Sequence, residues 1–172
     1  MDNRSFSFRF FTLIVLVLLQ VLILNRICLF GYVTPLFYIW MILRFDTSMK
    51  RAGILLWAFF LGLFIDMFSG TPGLNAASAT FLAMFQPAIV KLFVSTDRHD
   101  VVIPSSATMG GRSFAGYVLL MTTLHHTAYF ILRSIPLGDW TVVILKIVFS
   151  TIFTFILVFV TEKVTGSSGF KR

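Results

Sequence analysis

The chain has 172 residues, of which 58% are hydrophobic and 12% charged, with a mean hydropathy of +0.92 and a formal net charge of +7. Soluble domains carry roughly 25% charged residues, so this chain cannot cover itself with water-facing groups, and a bilayer is its expected solvent. The basic residues stand singly or in pairs between apolar runs, so no surface tracks a phosphate backbone and nucleic acid is not an expected partner. One domain is expected at this length, with no separate soluble module.

A helix needs about 20 mostly apolar residues to cross the hydrocarbon core. The first apolar run, Phe10 to Leu24, is followed by Asn25, Arg26 and Ile27 rather than by small residues. It is therefore read as a retained span, over about 8–28, and not as a cleaved leader. The stretch "NRIC" likewise lacks the small residues that precede a lipidated cysteine, and a single cysteine, Cys28, allows no internal disulfide. The second segment, about 31–44, is short and carries Gly31 and Pro35; it reads as a short irregular span, with a re-entrant or interfacial segment as the alternative. Further spans are expected at about 51–69, 75–94, 113–133 and 140–162, the fourth bent at Pro87 with Gln86 facing other helices. The fold class is thus an all-α, six-helix transmembrane bundle forming one domain over 1–172.

Charge placement orients it. With six spans and the N-terminus inside, Arg4, Arg9, Arg44, Lys50, Arg51, Lys91, Arg98, Arg112, Lys163, Lys171 and Arg172 fall on the cytoplasmic side. Only Arg26 and Arg133 fall outside, a strong positive-inside asymmetry. Trp40, Trp57, Trp140 and Tyr32 stand near span ends, where amphipathic rings prefer to sit. The longest loop, about 95–112, is polar and cytoplasmic in this arrangement, and the outer loops are only turns.

Asp66 is the only acid well inside a span. It lies about one turn, roughly 6 Å, before the outer turn at Ser69–Gly73, and a carboxylate there should face protein rather than lipid. Ala58, Gly62 and Asp66 recur on one helix face, and the next span opens with Ala76, Ala77, Ser78, Ala79, Thr80 and Ala83, so the two should approach closely. Ser69, Gly70 and Gly73 supply turn chemistry, and Asn75 is a candidate cap for the following helix. Asp66 is read first as a clamp at the hairpin tip, accepting amide hydrogens from the turn or the helix start. A proton-relay or substrate role and a direct partner contact are the competing readings.

Lys146 is the second charge within a span, roughly 10 Å from the outer end, with Ser150 and Thr154 continuing a polar stripe below it. Two opposite charges at similar depth suggest an Asp66–Lys146 pair, direct or through water; the alternative is a lysine that reaches to the outer headgroups. His125 and His126 lie mid-span and point about 100° apart, so they share a ligand poorly. Helix–helix hydrogen bonding is their expected use, since three or four converging metal ligands are lacking in sequence. No nucleophile with a base, no HExxH and no phosphate-cradling glycine loop is present, so neither enzyme chemistry nor a cofactor or metal is expected.

The stretch "GLFIDMFSGTPGLNAASATFLA" resembles the signature of the rod shape-determining protein MreD family, in Gly62, Asp66, Ser69, Gly70 and Gly73, and in the small-residue helix that follows. Upstream, "LLQVLILNRICLFGYVTPLFYIWMIL" matches in Gln20, Asn25, Gly31, Pro35 and Tyr38. The resemblance is close over about 8–95 and is of the Bacteroidetes type; beyond that it rests on span count and length. Pro72 stands where the family often has Leu, and Asn75 where it often has His; both keep the turn chemistry. The resemblance implies a non-enzymatic, multi-pass subunit of the bacterial inner membrane, with both termini cytoplasmic, in the cell-elongation machinery. MreC is the partner it implies first, with RodA, a class B penicillin-binding transpeptidase, the MreB filament and membrane lipids as further contacts. The family is also similar in fold to the substrate-binding subunits of energy-coupling-factor vitamin transporters, which is the alternative function. Those subunits usually carry an Ala-x-x-x-Ala pattern on the first helix, where this chain reads "FFTLIVLVLLQVLIL".

Overall fold

Inside a bilayer, backbone N–H and C=O groups find no water and must be satisfied within the protein. Helices do most of that here. The computed structural model describes residues 3–27, 33–94, 103–134 and 139–168, with side chains over 6–27, 33–94, 103–134 and 139–165. Cys28, Gly31, Tyr32, Arg98, His99, Lys171 and Arg172 lie outside the described residues, as does the side chain of Arg4.

The described residues are helical, without strands. Helix α1 spans Asn3–Leu22 and runs into a 3-10 turn at Leu24–Arg26; α2 is a four-residue helix, Trp40–Leu43, entered by a 3-10 turn at Phe37–Ile39. Then come α3 (Arg51–Ser69), α4 (Leu74–Phe93), the short α5 (Ser106–Met109), α6 (Gly111–Ser134) and α7 (Trp140–Ser168). Four stretches are long and apolar enough to cross a membrane: Phe6–Arg26, Arg51–Ser69, Leu74–Phe93 and Trp140–Thr165. Helix α6 is long enough, at 24 residues, but more polar. It packs against both α4 and α7, and its Thr122, His125 and His126 are wholly buried.

The second segment is not one helix. Thr34 to Leu36 is irregular, and the segment from Leu36 to Phe45 is buried almost throughout, with Tyr38, Ile39 and Ile42 at 0% exposure. Buried irregular backbone needs side chains to stand in for the missing ladder, and four helices supply them. From α7, Ser150 Oγ accepts from Thr34 N at 2.9 Å and Thr154 Oγ1 from Leu36 N at 3.3 Å. Gln20 of α1 accepts from Phe37 N at 3.0 Å through Oε1 and donates through Nε2 to Pro35 O at 2.8 Å. Where the segment leaves α2, Tyr117 Oη donates to Leu43 O at 2.9 Å and Gln86 Nε2 to Phe45 O at 3.1 Å. An orphaned group here costs about 1–3 kcal/mol, so these polar residues fix the path of the segment.

Charge separates along the bundle. Arg26 and Arg133 stand at the end that carries the α3–α4 turn. At the other end lie Arg9, Arg44, Lys50, Arg51, Lys91, Arg112 and Lys163, together with Asp46 and Glu162. The ion pairs among the described residues are both at that second end: Arg9–Asp46 and Arg44–Glu162, each at 2.7 Å.

Candidate functional site

The α3–α4 hairpin is built from its glycines upward. A Cβ on Gly62 would lie 2.5 Å from Ala76 Cα and 2.5 Å from Asn75 O, so only glycine lets the two backbones approach this closely. Gly70 (φ 64°) and Gly73 (φ 78°) take the left-handed conformation that glycine adopts without a Cβ clash. Gly70 closes α3, its N–H bonding to Asp66 O, and Thr71 N bonds to the same carbonyl at 3.4 Å.

This geometry brings the Asp66 carboxylate to the first turn of α4. Oδ1 accepts from Thr71 Oγ1 (2.8 Å), Asn75 N (3.0 Å) and Asn75 Nδ2 (2.8 Å), and Oδ2 accepts from Ala76 N (2.9 Å). A helix start leaves its first N–H groups without intrahelical partners, and a negative charge is favoured there. Asp66, reaching across from the preceding helix, fills both needs. Asn75 is therefore not the cap expected of it. The residue at the capping position is Gly73, which has no side chain, and Asn75 sits inside the helix, donating to Asp66 and to Thr71 Oγ1 at 3.0 Å.

Asn75 passes the chain of bonds inward. Its amide nitrogen is committed to donation, so its Oδ1 accepts from Tyr38 Oη at 3.1 Å. Tyr38 has one hydroxyl proton, so the 3.0 Å contact between Tyr38 Oη and His125 Nε2 is a bond donated by the histidine. His125 Nδ1 then carries a lone pair, and that atom is buried without a partner among the described residues. His126 belongs to a different string: its Nδ1 donates to Thr122 O at 2.8 Å, and its Nε2 accepts from Thr154 Oγ1 at 3.3 Å. The two histidines thus serve different neighbours, and no cluster of three or more metal-ligating side chains occurs among the described residues.

A direct Asp66–Lys146 ion pair is not formed. All four bonds to Asp66 come from neutral donors of its own hairpin, and half-buried Lys146 makes no ion pair among the described residues. Ser150 and Thr154, which continue its stripe, instead hold the irregular segment. Ser69 Oγ accepts from Asn25 Nδ2 at 2.7 Å, tying the end of α1 to the end of α3. Thr71, Tyr38 and Gln20 are the members of this network that pattern reading does not single out as site residues. Gln20 had a visible signal, an amide inside a run of aliphatic residues; Thr71 and Tyr38 look like ordinary turn and interface residues.

Beside the hairpin tip opens a cleft of about 440 Å³. Asn25, Arg26 and Thr34 line one side, Ser69, Thr71 and Asn75 another, and Tyr129 and Arg133 a third, with Val21, Leu22, Ile27 and Phe68 adding apolar surface. No protein-family model, curated protein or solved structure matches the chain.

Proposed function

We propose that this protein is a non-enzymatic membrane scaffold, an MreD-type subunit of the bacterial cell-elongation complex that docks MreC and helps coordinate peptidoglycan synthesis with cell shape. The observation that carries the reading is the state of Asp66. This acid, at the centre of the resemblance, is engaged by four donors of its own hairpin, three at Oδ1 and one at Oδ2. That suits a rigid surface for a partner better than a group that must exchange protons in a reaction cycle. In this reading the chain crosses the inner membrane six times, α6 and the irregular segment included, with both termini in the cytoplasm. The segregation of basic side chains to one end supports that orientation. RodA, the class B transpeptidase and the MreB filament are the further contacts of such a scaffold.

Affinity purification of the tagged full chain from its own membranes tests the proposal. MreC is expected to co-purify, and depletion of the protein is expected to turn rod-shaped cells round. The cleft at the hairpin tip favours a second reading, the substrate-binding subunit of an energy-coupling-factor vitamin transporter, because its volume is within the range of small-ligand sites. Retained rod shape with lost vitamin uptake would decide for that alternative.

A further inference from the structure

Arg26 and Arg133 are far apart in sequence, yet the fold gathers both at one cleft. Among the described residues they are the basic side chains at the end of the bundle that carries the α3–α4 turn, with Lys146 about two turns down α7. Neither makes an ion pair among the described residues, although Asp66 lies just beneath. Arg133 Nη1 donates to Tyr129 Oη at 2.8 Å and its guanidinium stacks over the Tyr129 ring, which holds one edge of the group and leaves the rest free. Two cations in one partly apolar cleft repel each other, and the chain places no acid in the wall to offset that.

The hydrogen-bonding inventory has the same sign. The strong acceptors around the cleft are already engaged: Asn25 Oδ1 by Gln20, Asn75 Oδ1 by Tyr38, and the Asp66 carboxylate by its hairpin. Tyr129 Oη accepts from Arg133, and Ser69 Oγ accepts from Asn25, so their hydroxyl protons are left to donate. What remains is two guanidinium groups and the hydroxyls of Tyr129 and Ser69 free to donate, with the Thr34 hydroxyl beside them able to donate or accept. Planar guanidinium forks match tetrahedral oxyanions in geometry and charge. The flanks add a second requirement. Leu22 and Phe68 border the cleft and are 65% and 66% exposed, which is apolar surface continuous with the lipid-facing sides of α1 and α3. A ligand that meets all of this carries a phosphate above and acyl chains below.

We propose that the cleft binds one anionic phospholipid, its phosphate held by Arg26 and Arg133 and its chains lying along Leu22 and Phe68. The proposal is independent of the scaffold reading, since it concerns occupancy of the cleft and not the partner. Native mass spectrometry of the detergent-solubilised full chain, titrated with phosphatidylglycerol, tests it. One phosphatidylglycerol is expected to remain bound. Arg26→Gln and Arg133→Gln are each expected to weaken it about tenfold, the double variant to abolish it, and Lys50→Gln at the opposite end to leave it unchanged. Arg26→Lys with Arg133→Lys, which keeps the charge, is expected to retain weakened binding and guards against a variant that fails to fold. Equal retention by the double glutamine variant, or equal binding of phosphatidylcholine, would overturn the proposal. So would inorganic phosphate alone protecting the chain against thermal unfolding as well as the lipid does, with the same dependence on the two arginines; the source would then be a soluble anion.

Discussion

Asp66 and Glu162 are both buried carboxylates, 4% and 3% exposed, one near each end of the bundle, and they are satisfied by different means. Glu162 has a cation: Arg44 Nη1 donates to its Oε2 at 2.7 Å, while Oε1 accepts from Ser106 N at 3.0 Å at the start of α5. Asp66 has none, and rests on two backbone N–H groups, an amide and a hydroxyl. A helix start converging on a carboxylate does the electrostatic work of a counter-ion without adding a second desolvated charge. That is why the cations at the Asp66 end are left uncommitted, whereas Arg44 at the other end is not.

Breaking the Asp66 side should cost most. Asp66→Ala removes four bonds and strands the N–H groups of Asn75 and Ala76, with an expected loss of about 4 kcal/mol. Asp66→Asn keeps the shape but turns a donor toward donors, at about 2 kcal/mol. Thermal unfolding in detergent ranks the two, and faster hydrogen exchange at Asn75 and Ala76 would locate the damage; equal stability of both variants with the parent would refute the capping role. Next comes the close approach that lets the carboxylate reach. Gly62→Ala introduces a methyl at 2.5 Å from the α4 backbone and should cost about 2 kcal/mol. A matched Gly53→Ala change, where the nearest atom is the flexible Met49 Cε at 3.6 Å, should be close to neutral in the same assay. A smaller loss than that of Gly62→Ala belongs to the other end. Glu162→Gln retains an acceptor for Ser106 and gives up only the charge facing partly exposed Arg44, at about 1 kcal/mol. This loss should shrink in high salt, whereas the Asp66→Ala loss should not.

The α3–α4 hairpin could be read from the sequence because its causes are local. The small-residue face through Ala58 and Gly62, the glycines at Gly70 and Gly73, and the acid one turn earlier all lie within a few residues of what they determine. The sequence reading of 51–69 and the helix Arg51–Ser69 accordingly have the same bounds. The second segment was not legible in the same way. Its irregular path depends on Gln20, Ser150 and Thr154, whose partners are 15 to 118 positions away. Hydropathy registers each as a polar interruption and says nothing of what it faces. The direct Asp66–Lys146 pair is absent for a related reason. Equal depth in a bilayer does not specify the direction around the helix axis, and an acid that meets its own helix start has little to gain from a distant lysine. Charge counting put Arg26 and Arg133 on the same side of the bundle, but nothing in it placed them at one cleft.

The irregular segment also bears on how the chain is made. Thr34 and Leu36 leave the ribosome more than a hundred residues before Ser150 and Thr154, the acceptors for their N–H groups. Synthesis runs from the N-terminus, so for most of that time this stretch has no complete set of partners. The last helix is therefore what completes the second segment. A nascent or truncated chain lacking α7 would leave the N–H groups of Thr34 and Leu36 without these acceptors.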